Sequence, residues 1–205
     1  PQALKELERY LFARGEALLH AAEAADDARL FEAVSLLRSS AELGHRRAAF
    51  MLAECLRHGT GTSVDITQAV VWYRKAAAML DAKLQLGDLF YFGQGVPRNL
   101  REALYWYEQA AVTHEDPYAM YSFGYCLLHG QGAARDLRAG AHWLRRAALQ
   151  GEVDAQYELG LAYFRGDGVK SSLRLAAKWL RAAARMGHPA ARAFLERMEV
   201  GSRVN

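Results

Sequence analysis

The sequence predicts an all-α solenoid of helix–turn–helix repeats, and three observations support this prediction. The four Trp of the chain, Trp72, Trp106, Trp143 and Trp179, are spaced by 34, 37 and 36 residues. A Gly-x-Gly pair precedes each Trp, with its second Gly always 11 residues before the Trp. The composition, with 4 Pro and 52% hydrophobic residues in 205, favours helices around a sizeable core. A fixed period of this length is typical of stacked repeats.

The first helix of each predicted unit has a recurring pattern of small and apolar residues. They stand at positions i, i+4 and i+8, with a further small residue at i+5 between the last two. This pattern predicts one buried helical face that another helix can approach closely. The residues are Ala48, Leu52, Ala53 and Leu56; Ala82, Leu86, Gly87 and Phe90; Ala119, Phe123, Gly124 and Leu127; and Ala155, Leu159, Gly160 and Tyr163.

Each Gly-x-Gly pair is predicted to form the turn between the two helices of a unit. Its first Gly would end the first helix, because a left-handed conformation costs Gly almost nothing. Four residues after the second Gly stands an Asp, Asn or Ser, which are typical N-cap residues. The second helix is then predicted to bury its Trp and the alanine pair that follows. The first glycines are Gly59, Gly93, Gly130 and Gly166, and the N-caps are Asp65, Asn99, Asp136 and Ser172.

The whole chain, 1–205, is predicted to be a single repeat domain. Residues 4–44 form a divergent N-terminal hairpin without a Gly-x-Gly turn, and residues 189–199 form a C-terminal capping helix. Such terminal helices cover the exposed ends of a stacked array. The predicted repeats between them are 46–80, 81–114, 117–151 and 153–187.

Several function classes are not supported by the sequence. The net charge of +3 is too balanced to indicate nucleic acid, and no apolar run approaches the roughly 18 residues of a membrane span. No strand precedes the Gly-x-Gly pairs, so a phosphate loop is not predicted. Neither a metal site nor a cofactor is predicted, since His-x-x-x-His and Cys-x-x-Cys spacings are missing. Cys55 and Cys126 occupy one repeat position two units apart and are predicted to be free.

These features resemble the Sel1-like repeat, a member of the tetratricopeptide superfamily. Residues 82–111 carry the resemblance most clearly, and it covers residues 48–187 as four units. The matching residues there are Leu86-Gly87, Phe90, Gly93, Gly95-Val96, Ala103, Trp106-Tyr107 and Ala110-Ala111. The resemblance implies a right-handed α-α superhelix with divergent terminal helices, in which the first helix of each repeat lines the concave side.

The resemblance also places candidate binding residues on that concave side. They are the third, seventh, tenth and eleventh residues of each first helix, counted from the initial Ala, and the residue just before it. Tyr and Phe make up eight of these twenty positions, and Tyr118, Tyr121 and Tyr125 form one stripe on a single helix. The predicted binding residues are Phe50, Glu54, Arg57, His58, Asp88, Tyr91, Phe92, Tyr118, Tyr121, Tyr125, His129, Tyr157, Leu161, Phe164 and Arg165.

The function predicted from these residues is a non-catalytic adaptor that binds a peptide or protein segment in an aromatic-lined groove. Aromatic side chains are common interface anchors, and the flanking Arg57 and Arg165 favour an acidic or C-terminal segment. Two alternatives are hydrolysis of β-lactams, ascribed to some relatives, and binding of single-stranded nucleic acid. The first lacks a nucleophile motif and the relatives' paired cysteines. The second is disfavoured by acidic groove positions: Glu54, Asp81, Asp88 and Asp154.

The sequence predicts neither the compartment nor the oligomeric state. It starts at Pro1 rather than at a Met, so the lack of a leader carries no prediction about secretion.

Overall fold

A computed structural model describes residues 2–21 and 27–203, and these residues contain eleven α-helices and no strand. The all-α prediction is therefore confirmed. The helices are α1 (Gln2–Ala21), α2 (Asp27–Glu42), α3 (Arg46–His58), α4 (Ile66–Lys75), α5 (Leu80–Phe92), α6 (Leu100–His114), α7 (Pro117–His129), α8 (Leu137–Leu149), α9 (Val153–Arg165), α10 (Leu173–Arg185) and α11 (Pro189–Arg203).

The helices form two compact units that divide between Arg98 and Asn99. The first unit contains α1 to α5 and the second contains α6 to α11. Within each unit, every helix packs on the next helix along the chain. The division falls inside the predicted repeat 81–114.

The turns are built as the sequence predicts. The first Gly of every pair ends its helix in the left-handed conformation, with φ of 74°, 68°, 68° and 83° at Gly59, Gly93, Gly130 and Gly166. All four predicted N-caps are confirmed by side-chain hydrogen bonds from a backbone N–H three residues on. The N–H groups belong to Gln68 for Asp65, Glu102 for Asn99, Ala139 for Asp136 and Leu175 for Ser172.

The second Gly of each pair has a role that the sequence pattern did not reveal. It lies against the start of the second helix of the preceding repeat, or against α2 in the first case. A Cβ added to Gly132 would lie 2.2 Å from the carbonyl oxygen of Leu100, and one added to Gly168 would lie 1.9 Å from that of Leu137. These glycines therefore allow two backbone segments of successive repeats to touch.

The core of each second helix is centred one residue beyond the Trp. Ala103, Tyr107 and Ala110 follow i, i+4, i+7 and are all nearly inaccessible. Trp72 and Trp179 are buried at the edge of the equivalent stripe, as predicted. The prediction is wrong for Trp106 and Trp143, which are only partly buried. The residues after the four Trp are Tyr73, Tyr107, Leu144 and Leu180, and all four are fully buried.

Two histidines cap first helices in an unusual way. His45 Nδ1 accepts a hydrogen bond from the N–H of Ala48 at 3.1 Å, and its ring stacks on Phe12 with a centroid distance of 4.1 Å. His188 makes the equivalent bond to Ala191 at the start of α11. Since Nδ1 must carry a lone pair to accept this bond, the cap requires a ring that is not doubly protonated.

We expect the His45 cap to weaken in mild acid. Burial is the main reason why the pKa of His45 lies below its ordinary value of 6.5. The nearby Arg47 and Arg9 also lower this pKa, whereas Glu8 and Glu16 raise it. A folded-state pKa below the unfolded one means that the stabilisation is complete above pH 6.5. It is lost as the pH falls through the folded-state pKa.

The measurement is the thermal midpoint between pH about 7.5 and about 5 for the parent chain and His45→Asn. Asn is a good N-cap residue that does not titrate, so the variant should lose less stability than the parent over this range. An equal loss in both proteins would mean that His45 is not the acid-sensitive cap.

Candidate functional site

The second unit contains a continuous row of aromatic rings along α7. We call Tyr118, Tyr121, Tyr125 and His129 the tyrosine ladder. Successive ring centroids are 6.4, 5.9 and 4.3 Å apart, and Tyr107 touches the first ring edge-on at 6.5 Å. The three Tyr are partly buried and His129 is exposed. The structure thus brings together the aromatic residues that the sequence placed on one stripe.

Most of the core of α7 lies on the side away from the ladder, although Leu128, which follows Tyr121 and Tyr125 on the same stripe, is only 3% exposed. The opposite side of α7 buries Ala119, Met120, Phe123 and Cys126. The helix begins at an Asp116 cap, whose carboxylate accepts from the N–H of Ala119 at 2.8 Å, and Pro117 occupies its first position. α7 is therefore well anchored, and the tyrosine rings stand on a rigid element.

One end of the ladder carries polar groups from α9. His129 Nε2 lies 3.9 Å from Glu158 Oε2. Burial raises the pKa of Glu158, and the positive charge of the nearby Arg165 partly offsets this shift. Burial also lowers the pKa of His129. Burial is likewise the main cause that raises the pKa of Tyr125, and the negative charge of Glu158 adds to this shift. This end therefore offers hydrogen-bond donors and acceptors beside the exposed Arg165.

Glu158 is a site residue that the sequence did not reveal, because only the third, seventh, tenth and eleventh positions were expected to face the groove. Counted from the initial Ala of its repeat, Ala155, it is the fourth residue. Gln85 is the fourth residue of another repeat, and its Oε1 accepts from Arg57 Nη1 of the preceding repeat. A polar residue at the fourth position is the signal that could have revealed both contacts.

Three predicted binding residues on α9 contact α11 or His188, the residue just before it. Leu161 is buried in a cluster with Leu180, Ala183 and Ala191, so it is not available as a ligand contact. Tyr157 stacks on His188 at 4.3 Å, and Phe164 meets Phe194 edge-on at 5.2 Å. The C-terminal helix thus covers this face much as a further repeat would.

The first unit holds a polar network around Glu54. Its carboxylate accepts a hydrogen bond from the buried hydroxyl of Tyr73 and lies 3.5 Å from His58 Nε2. Burial is the main cause that raises the pKa of Tyr73, and the hydrogen bond to Glu54 adds to it. Phe50 packs on the Tyr73 ring at 5.8 Å. These residues, and Arg57 through Gln85, tie helices together, which limits what they can offer a ligand.

The remaining predicted residues lie on α5. Tyr91 and Phe92 touch edge-on at 4.9 Å, and Phe92 is one of the most exposed aromatic side chains of the first unit. Arg98 donates through Nε to the backbone oxygen of Tyr91 at 2.9 Å and lies over its ring. Asp88 is partly buried. α5 therefore presents a smaller aromatic surface than α7.

Metal-binding and membrane-spanning features are not found among residues 2–21 and 27–203. No group of three potential metal ligands occurs there. No helix in this part of the chain has the length and apolarity to cross a membrane. Cys55 and Cys126 are free and buried, and burial raises their pKa to about 11 and about 12, so both thiols are protonated at neutral pH.

Solved structures resemble this chain along most of its length. A Sel1 repeat protein from Oxalobacter formigenes has a TM-score of 0.72 and 29% identity, covering 93% of this chain and 75% of that protein. A protective antigen of uropathogenic Escherichia coli, displaying an SLR fold, has a TM-score of 0.81 and 29% identity. That match covers 95% of this chain but only 43% of the antigen. No curated protein sequence gives a significant match.

The sequence model of the Sel1 repeat family matches five segments of this chain. They are residues 27–45, 46–79, 80–111, 117–152 and 153–188. The first of them adds a partial repeat to the four that the sequence pattern indicated, and it includes α2. These segments cover most of the chain, and with the helical hairpins described above they establish that the chain belongs to the Sel1 repeat family.

Proposed function

We propose that this chain is a non-catalytic binding module that takes up a segment of a partner protein on the tyrosine ladder of α7. Sel1 repeat proteins generally mediate protein–protein interactions. The observation that carries the proposal is the row of partly exposed tyrosine rings on a helix whose core lies mostly on its other side. Each ring is therefore partly accessible to a ligand.

Tyrosine suits this role for physical reasons. Its ring offers a large contact area with only two side-chain torsions to restrain, and its hydroxyl hydrogen-bonds to a bound backbone. The ring contacts along the ladder already hold each Tyr in place, so binding costs little further side-chain entropy.

The favoured ligand is an extended segment with an acidic or C-terminal carboxylate. Arg165 is exposed beside His129 and supplies a guanidinium, which binds carboxylates in a bidentate manner. The neighbouring Glu158 and Tyr125 supply acceptors and a donor for the segment's backbone. The carboxylate would therefore lie at the His129 end of the ladder.

The test is a binding titration with a partner captured from the native source. We expect Tyr121→Ala and Tyr125→Ala each to weaken the affinity by about 2 kcal/mol, as for interface hot spots, while both variants stay folded with only a modest loss of stability from the missing ring contacts. Arg181→Glu on α10 is the control and should bind like the parent. Loss of binding in the α10 control, with full binding in both Tyr variants, would refute the proposed site.

A further inference from the structure

The outward face of α10 carries an unusual row of positive charge. Arg174, Lys178, Arg181 and Arg185 follow i, i+4, i+7, i+11 and are all exposed. At 3.6 residues per turn they lie within an arc of about 60°, and they extend roughly 16 Å along the axis. The arc is opposite the buried stripe of Ala176, Leu180 and Ala183. No acidic residue occurs between Asp167 and Glu196.

The other repeats serve as an internal control for this charge. The same four positions are occupied as follows in the other second helices. They hold Thr67, Val71, Arg74 and Ala78 in and just after α4; Arg101, Tyr105, Glu108 and Val112 in α6; and Arg138, His142, Arg145 and Leu149 in α8. The fold therefore accepts neutral, apolar and acidic residues there. Packing does not require four cations on α10, and their accumulation needs another explanation.

The positive face continues from α10 onto α8. Arg138, His142 and Arg145 are exposed, and no acidic residue occurs between Asp136 and Glu152. The two helices are connected at one end, where Gly168 touches the carbonyl oxygen of Leu137 and where Arg138 and Lys170 line the same depression. Among the described residues, none of the exposed arginines on this face has an acidic partner.

Exposed apolar side chains lie at the ends of α8 and α10. Leu149, Leu173 and Met186 are 67%, 61% and 67% exposed, and no large apolar residue of α6 to α11 is more exposed among those described. Cations combined with exposed Leu or Met are typical of surfaces that rest on a lipid headgroup layer.

Other polyanions fit this face less well. Among the described residues it offers little stacking surface for bases, because Trp179 is buried, Arg146 lies over the partly buried Trp143, and His142 is the exposed aromatic ring on this face. An acidic peptide helix would cover one row of cations, whereas exposed cations lie on both α8 and α10. Both observations favour an extended anionic layer over a nucleic acid or a single acidic segment.

We propose that the α8–α10 face is a docking surface for an anionic lipid membrane. The guanidinium and ammonium groups contact lipid phosphates, and the apolar side chain of Leu149, which holds the repeat position of Arg185, enters the headgroup region without spanning the bilayer. This surface is distinct from the tyrosine ladder, so the chain would bind a protein segment and a membrane with different residues.

The experiment is cosedimentation with vesicles of phosphatidylcholine and phosphatidylglycerol in a two-to-one ratio, with pure phosphatidylcholine vesicles for comparison. The parent should bind only the anionic vesicles, and added salt should release it. Each cation near such a surface strengthens binding about fivefold, so Arg174→Glu/Arg181→Glu should weaken partitioning about 25-fold or more.

The matched control is Arg74→Glu/Arg101→Glu. It makes the same changes at the same repeat positions and gives the same net charge, but on α4 and α6. It should bind anionic vesicles within a fewfold of the parent. Both variants should remain helical by circular dichroism, and the loss of the contact between Arg74 and the Phe90 ring lowers the melting temperature of the control only. An equal loss in both variants would refute the proposal, because net charge alone would then explain the binding.

Two further outcomes are decisive. If the parent ignores anionic vesicles but binds a random DNA duplex in a way that Arg174→Glu/Arg181→Glu abolishes, the face serves nucleic acid and the membrane proposal is wrong. Tyr125→Ala should bind vesicles like the parent, and loss of vesicle binding in that variant would also overturn the proposal. Failure of the tyrosine-ladder proposal would leave these expectations unchanged.

Discussion

Replacing Tyr107 by Ala should lower the free energy of unfolding by about 3–5 kcal/mol, the usual range for a buried aromatic residue. Tyr107 is 2% exposed and lies between Ala103 and Ala110 on the most buried line of α6. The neighbouring Trp106 is larger but only partly buried, so Trp106→Ala should cost less.

Urea unfolding followed by circular dichroism measures all of these variants without relying on Trp fluorescence. Tyr105→Ala is the control, because its side chain is 51% exposed and should change the stability by no more than about 0.5 kcal/mol. If Trp106→Ala were the most destabilising of the three, the core of α6 would be centred on the Trp position and not on Tyr107.

Replacing Gly168 by Ala should be unusually costly for so small a change. Gly168 has φ of 72°, so any side chain incurs about 1–2 kcal/mol of backbone strain. The added Cβ would also lie 1.9 Å from the carbonyl oxygen of Leu137, and backbone atoms cannot rotate away as a side chain can. Forced displacement of this kind adds about 1–3 kcal/mol, giving a total of about 2–5 kcal/mol.

Gly166 provides a matched control two residues away. Its φ of 83° imposes the same kind of strain, but a Cβ there would meet nothing closer than 3.5 Å. Gly166→Ala should therefore cost only about 1–2 kcal/mol. Equal stability of the two Ala variants in thermal and urea unfolding would show that contact between successive repeats does not explain the second Gly.

The local structure of this chain was predictable because its causes lie within a few residues. A left-handed Gly at each helix end and an Asp, Asn or Ser at each following N-cap depend on backbone sterics and on hydrogen bonds three residues away. The period of the Trp and Gly residues then indicated the repeat architecture. All four caps and all four first glycines have the predicted conformation.

The tyrosine ladder was also predictable as a stripe, since residues at i, i+3 and i+7 share one face of a helix. The polar end of the ladder was not predictable, because Glu158 belongs to another helix and the sequence does not show which side chains meet across repeats. Leu161 was placed with the binding residues for the same reason. Only the packing of α11 reveals that it is buried.

The helices, their caps, the turns and the repeat family all follow from the order of residues along the chain. The buried stripe of the first helices is also indicated by the sequence, but contacts between helices follow only from packing: Tyr107 rather than Trp106 lies at the centre of the core, Gly168 meets the Leu137 carbonyl, and α11 covers Leu161. The difference arises because helix formation and capping are local, whereas burial depends on contacts between residues that lie far apart in the chain. A periodic sequence indicates that helices stack, and the crossing of each pair then sets which side chains remain accessible to a partner.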